Sequence, residues 1–586
     1  MRPLFLFVAA CALLGAGRSP AQTSWISPVG GAWENPAAWS AGLPQPGQIT
    51  ITVTNAGTKT VTLSASTPTP QLALPRVQLS APGGATNTLH FNRLVARPVT
   101  FADSFVIGAG GAAVVEDSAL LLDGAGGAAL TVEAGSLQLL SGTIDAGGGG
   151  VRFGRTGAAE YVQQTGTLLA GTLDIGDLTG HSGTAFMRGG TILASEAFIV
   201  GDNPGAVGRL VLEAGTVIST NALYTARIGD DGVGQVDISG GELRLADVSV
   251  GRATGSLGTV TVMAGSFVSE DLTLGRFAGG EGRLILSGSG VVDLQQQSLR
   301  LGREGTGVAS ITGGTLLAGE VVLAMSPGAN GELNLSGGTL LVVSNILIGV
   351  SNTASASLTG GTLQTTSTLS EGWLAVLNGE LTLAGARVSV DRFTTSAAGV
   401  VSFLDGQLET ANSHVTNTVP FVVGDGVRPA TLVVRSGTHR FAGGLVVRPG
   451  AQLLGWGTII GPVTNQGLIR ANSASGPLRF ENAVNNQGVL RVGTVGTLEL
   501  PGGLNNSGAY VITRPTAPEL NFQRVGGAGR LTFLAEAGVD YHVTSRLALP
   551  PGSWTAVQTV PGQGSTEQIP FSLTADQRFF RVEVLP

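Results

Sequence analysis

The residues with chemical potential recur one per repeat, at one place in each. A glycine that closes a short apolar stretch is followed by Asp177, then Asp202, then Asp230-Asp231, and in later repeats by Arg252, Arg276 and Arg303. If the repeats stack as neighbouring strands, equivalent residues lie about 4.8 Å apart. Carboxylates at that spacing repel one another, and a bridging Ca²⁺, which takes oxygen ligands, would relieve them. Carboxylate pairs are also the apparatus of polysaccharide hydrolysis. The simpler account is a row of solvated turns, since Asp beside Gly suits turn geometry. Asp177, Asp202 and Asp230 are therefore the candidate metal ligands, with calcium as the cofactor they would take, and no residue qualifies as catalytic. The five histidines are far apart and lack ligand spacing. No nucleophile elbow, zinc-protease, P-loop or EF-hand motif occurs.

The elements that would position this series follow from a glycine period. The repeat glycines are Gly142, Gly166, Gly190, Gly215, Gly241, Gly265, Gly290, Gly314, Gly338, Gly361 and Gly385, in steps of 23 to 26 residues. A fixed period of this size marks a stacked architecture. Each repeat opens with alternating apolar residues, as at Leu210/Leu212, Val236/Ile238, Val260/Val262 and Leu284/Leu286. That alternation is a strand with one buried face. A second strand ends in an aliphatic residue and Gly (Ile175-Gly176, Val200-Gly201, Ile228-Gly229), and a third follows the repeat glycine (Gly190-Thr191-Ile192). Three short strands and three tight turns in about 24 residues predict one coil of a parallel β-helix. Frequent glycine and β-branched residues argue against helix. A propeller blade would need four strands and about 40 residues. Some 16 coils between residues 105 and 512 would form a rod on the order of 75–80 Å long.

Composition narrows the partners. Glycine supplies 91 of 586 residues, charged residues 12%, and the net charge is −7. Lys59 is the only lysine and the arginines are dispersed, so the concentrated positive face that nucleic acid requires is missing. Arg2, the apolar run Leu4–Leu14 and Ser19-Pro20-Ala21 read as a signal peptide cut after Ala21. The run is too short to span a bilayer, and no later segment is apolar enough. Val8-Ala9-Ala10-Cys11 partly matches a lipoprotein box, and Cys11 is the chain's one cysteine. A mature chain starting at residue 22 would have no disulfide and must hold by packing and backbone pairing.

The ends of a stack expose strand edges and need covering. Trp25, Trp33 and Trp39 crowd into 15 residues. They predict a cap plugging the first coil, with a sugar-stacking platform as the alternative. Residues 22–104 are accordingly read as cap and first irregular coils, and 105–515 as the β-helix, regular over 142–385. Over about 450–512 a second repeat type appears, in which Asn465, Asn486 and Asn506 each stand two residues before a glycine. One asparagine per coil predicts an internal amide ladder, or else simple tolerance of a left-handed turn. Residues 516–586 regain aromatics and read as a small β-sandwich.

The repeat Leu333-Asn334-Leu335-Ser336-Gly337-Gly338-Thr339-Leu340, with strands ending Ile/Val-Gly-Asp/Arg, resembles the β-strand repeats of bacterial autotransporter passengers. Gly31-Ala32-Trp33, Trp39 and Gly42-Leu43-Pro44 resemble the segment that opens such proteins. The likeness covers about residues 23–512 and implies a right-handed parallel β-helix at the cell surface. The chain shows no counterpart of the autotransporters' membrane barrel. Gly538-Val539-Asp540-Tyr541-His542-Val543, Ser553-Trp554-Thr555 and Arg578-Phe579-Phe580-Arg581-Val582 resemble a C-terminal β-sandwich of secreted Verrucomicrobia- and Planctomycetes-type proteins, which implies a surface-attachment or sorting module. The resulting expectation is an exported, non-enzymatic, structural or adhesin-like protein, secreted or on the cell surface, with extracellular glycan or cell envelope as partner. The alternative is a polysaccharide-binding or polysaccharide-degrading β-helix.

Overall fold

The computed structural model describes residues 22–46, 48–123, 127–367, 371–493, 495–512, 518–525, 528–535, 539–546, 553–562, 565–572 and 579–584. The signal-peptide reading, Cys11, Gly538, Pro550-Pro551-Gly552 and Arg578 lie outside them. The chain is all-β, a parallel β-helix with small antiparallel sheets at its C-terminal end. Among the described residues the only helical elements are the 3₁₀ turns Pro36–Ala38 and Thr69–Leu72, and no helix is long and apolar enough to cross a membrane. Two compact units divide it: residues 1–341 with 350–354, and residues 342–349 with 355–586.

In the first unit the 24-residue reading corresponds to one coil of three strands. The six-residue strands Ala158–Gln163, Ser182–Met187, Val207–Leu212, Val233–Ile238, Leu257–Val262, Glu281–Leu286, Thr306–Ile311 and Asn330–Leu335 pair in parallel, residue for residue. Leu210, Val236, Val260 and Leu284 therefore stack, as do Leu212, Ile238, Val262 and Leu286, all inaccessible to solvent. The alternation read from sequence is thus an inward row of aliphatics and an outward row facing water. The first inward position is Gly in seven successive coils, Gly183 to Gly331. At Gly234 a Cβ would sit 2.1 Å from Gly229 N and 2.3 Å from Val200 O, so this glycine is demanded by close backbone approach. The repeat glycines serve a different need: Gly241 has φ +72 and turns the corner into Glu242–Leu245. Gly290 is an exception, because Gly288 (φ 57) makes that turn instead. Ala324 holds φ 52 where neighbouring coils place Gly302 and Gly275.

Residues 22–104 already belong to the stack. Gln22–Ser24 pairs with Thr50–Val53, which pairs with Arg76–Leu79. Two strands at and just beyond the end of this segment are long rather than short, Asn87–Phe101 and Gly111–Leu122. They turn corners without breaking, through single left-handed residues, Arg93 (φ 58) and Asp117 (φ 46).

The second unit also runs long strands through its corners, here with a positive-φ glycine inside each, Gly385 (φ 131) and Gly406 (φ 88). Glu380–Thr395 and Val400–Val415 run 16 residues each and pair in parallel with register shifts at Leu383/Ala384 and Ala384/Arg387. This is the physical form of the irregularity that begins near Gly385. Short strands return at Val463–Asn465, Val484–Asn486 and Leu504–Asn506, stacked in register. The last segment forms two three-stranded antiparallel sheets, Asn521–Val525/Ala528–Leu534/Thr566–Ser572 and Thr555–Pro561/Asp540–Arg546/Phe579–Val584. Leu531, Phe533 and Ile569 from one and Tyr541, Val543, Val560 and Val582 from the other share a single buried cluster, as a small sandwich requires.

Candidate functional site

The residue after each second-strand glycine does stack. Backbone N–H groups of Asp202, Asp230, Arg252, Arg276 and Arg303 donate in turn to the carbonyls of Gly176, Gly201, Gly229, Gly251 and Gly275 at 2.8–3.2 Å. The three predicted acids nevertheless meet different fates. Asp230, 2% exposed, is neutralised by protein: Arg227 Nη1 donates to Oδ2 at 2.9 Å and Arg252 Nη1 to Oδ1 at 2.6 Å. Asp177 and Asp202 instead converge with Asp174, one oxygen from each lying within 4.8 Å of the others.

Asp174 is the middle residue of Leu173–Ile175, between two inward aliphatics, so period two sends its side chain away from the core. It is nonetheless only 3% exposed. The left-handed turn at Gly176 (φ 81) brings Asp177 back beside it. Asp174 Oδ1 and Asp177 Oδ2 have no hydrogen-bond donor; Arg155 Nε lies 3.5 Å from Asp177 Oδ2, and Arg152 is the register neighbour of Asp174. Asn203 Nδ2 braces the turn, donating to Asp177 O at 2.5 Å and Asp202 Oδ2 at 3.1 Å. Burial, then the charges of Asp202 and Asp177, push the Asp174 carboxyl up to about 8, against the opposing pull of Arg152. Burial, followed by Asp230 and Asp177, also raises Asp202. Tracking only the residue after the glycine misses Asp174. Its signal was an acid at a strand centre whose register neighbours are Arg152 and Ile199.

The basic half of the series is partly self-satisfied. Arg276 Nη1 donates to Ser249 Oγ at 2.9 Å, and Phe277 lies 5.3 and 5.5 Å from the guanidinium carbons of Arg252 and Arg276.

The three N-terminal tryptophans are interior. Trp25, Trp33 and Trp39 are 1%, 0% and 3% exposed, and Trp39 meets both others edge-on at 5.2 and 4.7 Å. Trp25 N–H and Trp33 N–H donate to Thr52 O and Thr62 O of the adjoining strands. None of these three indoles has a face open to a sugar. The asparagines form the amide ladder: Asn465 Nδ2 donates to Asn486 Oδ1, and Asn486 Nδ2 to Asn506 Oδ1, each at 2.7 Å. Asn465 and Asn486 are fully buried, whereas Asn506 is exposed.

Sequence reading missed one further pair. Ser413 Oγ lies 3.0 Å from His439 Nδ1, the separation of a nucleophile and its base. His439 Nε2 must donate to the Ser436 carbonyl at 2.8 Å, so neutral Nδ1 accepts the Ser413 hydroxyl proton. His439 is 0% exposed, and burial lowers it to about 4. No substrate reaches the pair, which pins the left-handed Ser436 (φ 139). Among the described residues, one open depression of about 500 Å³ is lined by Thr100, Leu121, Asp123 and Asp145, and another of about 100 Å³ lies beside Phe421. Neither contains the acid group. No protein-family model, curated protein or solved structure matches the chain.

Proposed function

We propose that this is an exported, non-enzymatic structural or adhesive protein of a bacterial surface, a scaffold whose outward strand faces meet extracellular glycan or cell envelope. One observation carries the reading: eight successive six-residue strands stack residue for residue, so the outer face repeats without a long inserted loop. Catalysis on a polymer needs several groups converging on a groove. The convergent acids here lie in a turn row, and the Ser413–His439 pair is sealed. Export is supported by the sequence of residues 1–21, and the glycan or envelope partner by the resemblance to surface repeats.

The test is incubation of the purified chain with a panel of acidic and neutral polysaccharides. Reducing ends and unsaturated uronate absorbance report turnover, and a glycan array reports binding in parallel. Binding without turnover supports the adhesive role, and neither signal supports a purely structural one. Sustained product release would sink the proposal.

A further inference from the structure

We propose that Asp174, Asp177 and Asp202 form a calcium site on the first unit, in which carboxylate oxygens from two adjacent coils hold one ion. The inference is independent of the scaffold reading. Its ground is the convergence of three carboxylate oxygens within 4.8 Å, together with the orphaned Asp174 Oδ1, on a side chain 97% buried and aimed into the group. A buried carboxylate oxygen without a donor is costly, and a cation is the partner that satisfies several at once. The next coil shows the contrast. Where this fold neutralises a buried acid of the row with protein, it supplies two arginines, as at Asp230. Around Asp174 it supplies one ion pair, Arg155 with Asp177 at 3.5 Å.

The donor set selects the metal. All three side chains offer oxygen, with no His or Cys in the group, which disfavours zinc and copper. Asp202 is half-buried, so the outer side of the group is open to water. Calcium takes 6–8 oxygens in flexible geometry, whereas magnesium demands a near-ideal octahedron. Carboxylates carried on two stacked coils, whose spacing the backbone sets, suit the more tolerant ion. The rival occupant is a proton on Asp174, hydrogen-bonded to Asp177.

The experiment compares the full chain stripped with EGTA and then titrated with CaCl₂, by calorimetry and by thermal unfolding. Wild type is expected to bind one calcium tightly enough to raise Tm by about 3 °C or more at saturation. Asp174→Asn should weaken binding by about tenfold or more and abolish the Tm shift. Asp231→Asn, at an exposed neighbour outside the group, should bind as wild type does. No binding by wild type at millimolar calcium overturns the proposal in favour of the proton. Equal weakening by both variants overturns it in favour of a diffuse acidic surface. If Asp174→Asn does not fold, terbium luminescence on wild type, displaced by calcium and reduced by Asp202→Asn, decides in the same way.

Discussion

Leu286→Asp tests the claim that coils are stable only through their neighbours. Leu286 ends the strand Glu281–Leu286, is 0% exposed, and stacks between Val262 below and Ile311 above, both also 0% exposed. Removing a buried leucine side chain to Ala costs about 2–5 kcal/mol, as transfer and cavity terms together. Aspartate adds the desolvation of a carboxyl with no apolar-row partner, several kcal/mol more. The total, at least about 5 kcal/mol, approaches the whole stability of an ordinary domain. In a one-dimensional stack that loss falls on one coil and on the two interfaces it makes. The backbone reinforces the coupling, since Ser287 N–H donates to Val262 O at 3.0 Å and Thr312 N–H to Leu286 O at 2.9 Å. Hydrogen exchange followed by mass spectrometry should therefore show lost protection in 257–262, 281–286 and 306–311 together. Residues 182–187, farther along the same unit, should stay protected. Leu286→Ala should show the same pattern at smaller amplitude. Lost protection confined to residues 281–286 would refute nearest-neighbour stabilisation.

Other perturbations probe the remaining devices. Gly234→Ala puts a methyl group against backbone at 2.1–2.3 Å and should destabilise the first unit by about 3 kcal/mol, read from denaturant unfolding; a neutral outcome would remove the close-approach argument. Asn486→Ala removes bonds to Asn506 Oδ1 and Ala509 O and the acceptor of Asn465, and should cost about 2–3 kcal/mol. A double-mutant cycle of Asn465 with Asn486 should show coupling of about 1 kcal/mol, whereas strict additivity would mean the ladder carries no pairwise energy. His439 has a folded-state value near 4, below its unfolded 6.5, so the unfolded state binds the extra proton. Its contribution is present above about 6.5 and fades as pH falls toward 4, a loss of about 3 kcal/mol in total. Urea melts of wild type and His439→Gln should converge as the pH drops from 7 to 4; parallel curves would exclude the histidine as the acid-labile group.

Much of the fold was legible because a solenoid is written locally. The period of Gly166, Gly190 and Gly215, and the alternation in Val207–Leu212, each report a constraint acting within one coil, so sequence alone determines strand number, inward face and turn. Asn465, Asn486 and Asn506 announced their ladder for the same reason: a spacing equal to the coil length places like side chains on top of one another. What tertiary structure decided is which neighbours each outward residue meets. Asp177, Asp202 and Asp230 look equivalent in sequence, yet Arg227 and Arg252 close on Asp230 while Asp174, three residues before Asp177, closes on the other two. That difference depends on which side chains of adjoining strands face each turn, Arg227 and Arg252 at Asp230 and Asp174 at Asp177. The pairing of Ser413 with His439 is likewise a product of register, across 26 residues and a bulge between Thr410 and Ser413. Long strands such as Asn87–Phe101 and Gly111–Leu122 turn corners at Arg93 and Asp117, without the glycine signal on which the periodic reading depends. The sequence by itself determined the coil, and only the stacked backbone decided which charges come to share a site.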